Sequence, residues 1–329
     1  MWLIFTSDFI IGKGSNQLNI TETFGIDYPV FQGGMAWIAE ATLASAVSNG
    51  GGIGFIAAGS ANADWLRDQI KEARRLTDKQ FGINVMLMSP EVDDVINLIC
   101  NEKIPVITTG AGNPGKYLEK LNSSGTKVVP VVSNVALAKR LERAGATALI
   151  AEGLEAGGHI GELTTMALVP QIADAVNIPV IAAGGIADGR GVAAAFMLGA
   201  SGVQIGTRFL SARECQVSKE YKEKILKAKD SDTVVTGRNT GHSVRLLKNK
   251  LTKEALRMEQ EDISMEEYEE FLSGSLRKAV VEGDVEYGSV MSGQVASMVK
   301  KEQPAAEIIT EVFAEAKEVL KSRREAFIW

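Results

Sequence analysis

Eight short apolar runs, each followed by a stretch of helical length, leave this chain few ways to fold. The runs read PVFQGG (29–34), IGFIA (53–57), FGINVML (81–87), PVITTG (105–110), KVVPVV (127–132), ALIAEG (148–153), PVIAAGG (179–185) and GVQIGTRF (202–209). They are almost continuously apolar, as strands are when helices cover both faces of a parallel sheet. The stretches between them, such as ADWLRDQIKEARRL and NVALAKRLERAG, repeat apolar residues at helical spacing. A doubly wound open sheet is the competing layout. Regular short spacing, with glycine and polar residues gathering at the strand C-termini, favours an α/β fold of the closed (β/α)8 TIM-barrel type.

A chain of 329 residues accommodates such a barrel plus an insertion. After TRF the texture changes: 211–290 is charged, mainly helical in pattern and without strand rhythm. The glycine-rich YGSVMSGQ (287–294) and a terminal helix around AAEIITEVFAEAKEVLKS follow. The division expected is therefore an N-terminal extension (1–24), a barrel (25–210 plus 291–329) and a small helical or lid domain (211–290).

Charge and cysteine content narrow the function classes. The net charge is −6, which argues against a nucleic-acid binder. It is unevenly spread: 211–257 holds twelve Lys/Arg against six Asp/Glu, and 258–287 two against ten. A solvated helical region explains this, and so does a basic surface for an acidic partner. Cys100 and Cys215 form no metal or redox motif, which suits a reducing compartment. MWLIFTSDFIIG at the start lacks a basic flank, a long apolar run and a cleavage site, so no signal peptide or membrane span is read and a cytoplasmic protein is expected.

In a barrel of this type chemistry sits at the strand C-termini. The seventh run ends at Gly184 and Gly185, shortly before a helix beginning near Gly189; the eighth ends at Gly206 and Thr207. Free backbone amides, a hydroxyl and a helix N-terminus make an anion cradle, and loops seven and eight are the usual phosphate site. Gly33, Gly34 and Met35 end the first run, where a flat ligand can approach the backbone. Asn84 lies in the third run, and Glu152 ends the sixth. There is no phosphate-loop lysine motif, no nucleophile elbow, no zinc-protease helix and no metal-ligand spacing. The chain has two histidines. His242, in TGHSVR, reads as an ordinary solvated or packed residue. His159, in EGLEAGGHIGELTT, stands at the catalytic end of the sixth strand among glycines, where a substrate can reach an imidazole that titrates near neutrality.

QGGMAW, FGINVMLMSP, TTGAGNP, AEGLEAGGHIGELTTM, PVIAAGGIADGRG, VQIGTRF and SGQVA occur in order from residue 25 onward. Together they resemble the flavin-dependent enoyl-[acyl-carrier-protein] reductase II family, within the nitronate monooxygenase (2-nitropropane dioxygenase) superfamily. The resemblance implies FMN, with its phosphate on Gly184, Gly185, Gly206 and Thr207. It places the flavin ring near Gly34, Met35, Asn84 and Glu152, with Gly33, Gly157 and Gln294 also at the cofactor. It further implies NADH or NADPH as electron donor, an activating monovalent cation, a homodimer, and His159 positioning the acyl thioester. The acidic acyl carrier protein it implies would dock on the basic 211–257 segment. Two other readings stand beside this one: a nitronate monooxygenase whose histidine acts as base, and a flavin- or phosphate-binding barrel without turnover.

Overall fold

The computed structural model describes residues 19–59, 61–261 and 263–323. All eight expected runs form strands: β1 Val30–Gln32, β2 Phe55–Ala57, β3 Gly82–Met86, β4 Val106–Gly110, β5 Lys127–Val132 and β6 Leu149–Glu152. After a two-residue strand, β7 Gly158–His159, come β8 Val180–Ala183 and β9 Gly202–Ile205. The eight long strands are parallel, in the order β1-β9-β8-β6-β5-β4-β3-β2.

A short bridge closes the ring. Phe31 and Ile53 pair in parallel; Gln32 N donates to Ile53 O (2.9 Å) and Ile53 N to Val30 O (3.0 Å). The Gln32 side chain, fully buried, completes the seam. Its Oε1 accepts from Phe55 N at 3.0 Å, and its Nε2 donates to Gly33 O. Gln32 thus supplies hydrogen bonds where two short strands alone would leave donors and acceptors unmatched. The result is a (β/α)8 TIM barrel.

Period-two alternation sorts the side chains into two cores. Phe31, Ile53, Phe55, Val106, Val129, Ala148, Ile150, Ile181 and Ala183 point inward and form one cluster. Intervening residues such as Val30, Ile56, Ile107, Val128, Leu149 and Ala182 meet the surrounding helices in another. Ala63–Leu76 shows how a helix joins that outer core. Asn62 caps its first turn by accepting from Trp65 N, Leu66, Ile70 and Ala73 are buried along one stripe, and its arginines face water. The terminal helix Ala305–Arg323 packs between Gly189–Met197 and Ala41–Asn49, taking the eighth outer position.

Two features depart from expectation. The boundary set at residue 24 cuts through a packed element. The helix Ile20–Phe24, capped by Asn19, buries Ile20 and Phe24 in the inner cluster, with the Phe24 ring edge-on to Phe31 at 5.2 Å. An amphipathic turn of five residues is too short to signal itself, yet it plugs the barrel floor. The rest of the expected extension lies outside the described residues. The 211–290 segment is also not purely helical. Between helices Lys219–Leu226 and Lys250–Met258 it forms an antiparallel pair, β10 Thr233–Thr236 and β11 Val244–Leu247, and β11 pairs antiparallel with β7. Tyr221, Ile225, Leu247, Ala279 and Val280 share the outer barrel cluster, so the insertion has no separate core.

No helix among the described residues is long and apolar enough to cross a membrane. If the floor helix belongs to the barrel, Phe24→Ala lowers stability by about 3–5 kcal/mol, the usual loss for a buried aromatic. Chemical denaturation measures this; an unchanged midpoint returns the helix to the status of an appendage.

Candidate functional site

The alternation that fills the barrel floor with aromatics empties its upper end. Above the inner cluster the strand C-termini carry small residues, and they border a cavity of about 580 Å³. The cavity wall includes Gly33, Gly34, Met35, Asn84, Glu152, Gly157, His159, Gly184, Gly185, Gly206 and Thr207. Residues read from five separate strand ends (β1, β3, β6, β8 and β9) and their loops therefore meet in one place. Gln294 does not: it is exposed, outside the wall, and only its backbone N–H contributes, donating to Glu155 O at 2.9 Å. Ser292, Gly293 and Val295 face the cavity instead, because the 3-10 helix starting at Gln294 turns that side chain outward.

The anion cradle differs from expectation in one part. The amides opening helix Gly189–Met197 are already taken: Gly189 N by Glu315 Oε2 (2.8 Å), and Arg190 N and Gly191 N by Asp188 Oδ1 (3.0 and 3.2 Å). An Asp N-cap, legible in ADGRG, satisfies these donors and opposes a second anion there. The strand ends remain open. Among the described residues the backbone N–H groups of Gly184, Gly185, Gly206 and Thr207 have no protein acceptor. Gly184 and Gly185 have φ of 90° and 73°, a left-handed pair that turns successive amides to one side and that residues with a Cβ rarely adopt. Thr207 Oγ1 accepts from Gly293 N at 2.9 Å, leaving its hydroxyl hydrogen to donate.

Opposite the cradle, Asn84 Nδ2 donates to Thr108 Oγ1 at 3.0 Å. A Cβ on Gly34 would lie 2.1 Å from Asn84 Cγ, so only glycine lets the β1 loop pass over this amide. Glu152 ends β6 facing the cavity, and burial pushes its carboxyl up to about 7. It is therefore poised between its acid and carboxylate forms at neutral pH.

The glycine-rich loop is built, not loose. Arg245, buried on β11, donates from Nε and Nη2 to Leu154 O (3.2 and 3.0 Å). Glu155 accepts from Thr165 N (2.9 Å) and Thr165 Oγ1 (3.0 Å), and Gly157 is so close to residues 292 and 293 that a Cβ would meet Ser292 C at 2.6 Å. Pairing of Val244 with His159 and of Arg245 with Gly158 then fixes the histidine on a strand edge, with Ile160 N donating to Ser243 O at 3.0 Å. The two histidines, read as unrelated in sequence, are brought near each other by this pairing. Surrounding protein, and then the nearby His242, hold the His159 imidazolium below its ordinary value, so the ring is neutral at pH 7.

The basic segment is partly spent on structure. Lys222 Nζ donates to Ala212 O (2.9 Å) and pairs with Glu302, Lys224 Nζ donates to Val285 O (3.0 Å), and Lys227 pairs with Glu223 (2.8 Å).

The sequence model of the family described as nitronate monooxygenase matches residues 17–97 and 92–315. A "Probable nitronate monooxygenase" of Staphylococcus aureus is 33% identical over 353 residues, covering 93% of this chain and 99% of that protein. Among solved structures, FabK from Thermotoga maritima is 51% identical, with a TM-score of 0.91 over 94% of this chain and 98% of its own. A nitroalkane oxidase from Streptomyces ansochromogenes is 27% identical, with a TM-score of 0.82 over 92% and 99%.

Because the folded Glu152 carboxyl titrates near 7 and an unfolded one near 4.5, its ionisation costs no stability below about 4.5 and the full amount above 7. Glu152→Gln should therefore raise the melting temperature of cofactor-free protein by several degrees more at pH 8 than at pH 5. An equal shift at both values would contradict the buried-acid account.

Proposed function

The chain belongs to the nitronate monooxygenase family of flavin oxidoreductases, and from that membership we propose that it is an FMN-dependent enoyl-[acyl-carrier-protein] reductase. In the reaction proposed, NAD(P)H, a proton and a trans-2-enoyl thioester give NAD(P)+ and the saturated thioester. The observation that carries the reading is the union, in one cavity, of four acceptor-free backbone N–H groups with a neutral imidazole on a rigid strand edge. The 51% identity to FabK supports it.

The residues fit the cofactor. Gly184, Gly185, Gly206 and Thr207 would hold the FMN phosphate through amides that nothing else engages, and Gly33, Gly34, Met35, Asn84 and Glu152 would border its ring. When bound, FMN supplies two-electron transfer between the nicotinamide and the enoyl thioester. The chain's own work is to bind, orient and stabilise charge. Neutral His159 has one N–H to donate toward the thioester carbonyl, where negative charge develops as the double bond is reduced. Its attachment to β11 and the Glu155–Thr165 contacts hold that donor still, so little reorganisation is needed when the charge appears. Met86, Ile160 and Met291 give the wall an apolar part against which an acyl thioester could lie.

Curated relatives named nitronate monooxygenases and the nitroalkane oxidase likeness favour a second reading in the same cavity, with His159 as base on a nitroalkane. A depressed pKa makes the imidazole a weaker base toward a C–H bond yet leaves its N–H donor intact, which favours the reductase. Anaerobic NADH or NADPH oxidation dependent on crotonyl-CoA is expected; oxygen uptake with a nitronate and no enoyl turnover would instead establish the monooxygenase. Protein purified without bound flavin, and unable to take it up, would defeat both.

His159→Ala should keep its FMN, read from absorbance, while enoyl turnover falls on the order of a hundredfold, as for loss of one donor to a developing oxyanion. Turnover unchanged would remove His159 from the reaction. For the acyl carrier protein proposed as partner, the residues to reverse are Lys229 and Arg238, two of the exposed cations outside the internal pairings. Lys229→Glu with Arg238→Glu should lower kcat/KM several-fold for carrier-linked enoyl chains and little for CoA esters; equal loss on both would discard this docking face.

A further inference from the structure

Most glycines at this cavity have a reason in the backbone. Gly112, Gly158, Gly184 and Gly185 take positive φ, and Gly34, Gly157, Gly161 and Gly293 lie where a Cβ would be within 3.0 Å of a neighbour. Gly110 has neither reason. Its φ is not positive, and a Cβ built on it meets nothing within 4 Å. It is the last residue of β4, held in register opposite Met86, with its carbonyl accepting from Leu87 N at 3.0 Å. Val106 and Thr108 on the same strand point inward, the first in the inner cluster and the second to Asn84, so position 110 points inward too. A strand position where a side chain would fit freely, left without one, is space kept for something else.

That space has a place in the ring. Counting along the strand order, β4 is four steps from β9 in either direction, so Gly110 lies across the mouth from the Gly206 end of the cradle. Its register partner Met86 and its chain neighbour Ala111, both apolar, line the same cavity. The loop that follows is also bent at a cost. Ala111, not a glycine, has a φ of 52°, a conformation that persists where surrounding structure enforces it and that gathers at binding sites.

We propose that Gly110 is a specificity-determining residue: the open position at the end of β4 receives the apolar tail of the substrate, and the size of residue 110 sets which tails fit. The inference rests on the enoyl-thioester reading, since a thioester held by His159 needs room for its chain away from the anion cradle.

The test uses FMN-loaded protein and the variants Gly110→Ala and Gly110→Leu. Flavin content per chain is measured from absorbance, and kcat/KM is measured for crotonyl-CoA and for 2-dodecenoyl-CoA under anaerobic conditions. Full flavin content is expected in both variants, with crotonyl-CoA turnover within about twofold of wild type. The long-to-short preference should fall about tenfold or more in Gly110→Leu and less in Gly110→Ala, in line with the discrimination a few methylenes produce. An unchanged preference overturns the proposal. So does loss of flavin in Gly110→Leu, which would give the space to the cofactor. Wild-type protein inactive on both thioesters refutes the reductase reading alone. The same variants are then compared on nitroethane and 1-nitrododecane, where an unchanged chain-length preference again overturns the role of Gly110.

Discussion

Everything at the upper end of this barrel depends on how its interior is filled lower down. Eight strands that alternate strictly place the same parity of residue toward the axis, and the registers keep those positions in layers. Near the floor the layer is aromatic and branched, closed from below by Ile20 and Phe24. Toward the C-termini it thins to Gly33, Gly110, Gly185 and Gly206, with Asn84, Met86, Val131, Glu152 and Gln204 among the larger exceptions. A fully packed top would be more stable and would bind nothing. The floor has to be tight because the top is hollow: the ring would otherwise lack inward contacts to hold its hydrogen-bond register, and the seam at Gln32 is short. The site is thus the upper half of a packing gradient written along each strand.

The same reasoning changes what glycine means in the loop that carries His159. A run such as EAGGH invites the picture of a hinge. In the structure the glycines serve approach. Gly157 lies against the backbone of Ser292 and Gly293, Gly153 against Thr165, and Gly293 against Glu155 O. Close backbone contact, backed by Arg245 on Leu154 O, turns a flexible composition into a firm platform. The platform also explains why the insertion after β9 exists in this form. β11 pairs with β7, so the segment that interrupts the barrel also holds the histidine in place. A donor fixed this way is useful to chemistry in which charge appears on a substrate oxygen.

Much of this was legible in the residues, and the exceptions have physical causes. Eight strands could be read because burial on both faces makes each run continuously apolar, and the glycines ending the seventh and eighth runs marked the cradle. Glu152 and His159 were visible as polar groups at strand ends. What could not be read arises from contacts distant in sequence. The β10–β11 ribbon lies in a charged stretch whose strands are half covered, so no alternation stands out. Its pairing with residues 158–159, and hence the approach of His242 to His159, is a tertiary event. The helix at 20–24 is too short for periodicity to register. Gln294 was placed by motif alone, which cannot see that a 3-10 turn rotates it outward. The Asp N-cap of helix Gly189–Met197 is legible in the sequence: Asp188 followed by Arg190 and Gly191 signals that those amides are already occupied.

The two shifted groups point in one direction. Desolvation raises the Glu152 carboxyl and, with His242, lowers the His159 imidazolium, so each is shifted toward its uncharged form, His159 neutral and Glu152 divided between its two forms around pH 7. Glu155 turns its carboxylate onto Thr165 N and Oγ1, compensating its charge locally. Beside these side chains, oriented backbone dipoles contribute to the field inside the cavity, and at the ends of β8 and β9 these are N–H groups without acceptors. Such a cavity favours an anion at one side and tolerates negative charge forming within reach of the His159 N–H. A single carboxyl near its midpoint then makes the charge on this wall of the cavity the quantity that changes most around neutral pH.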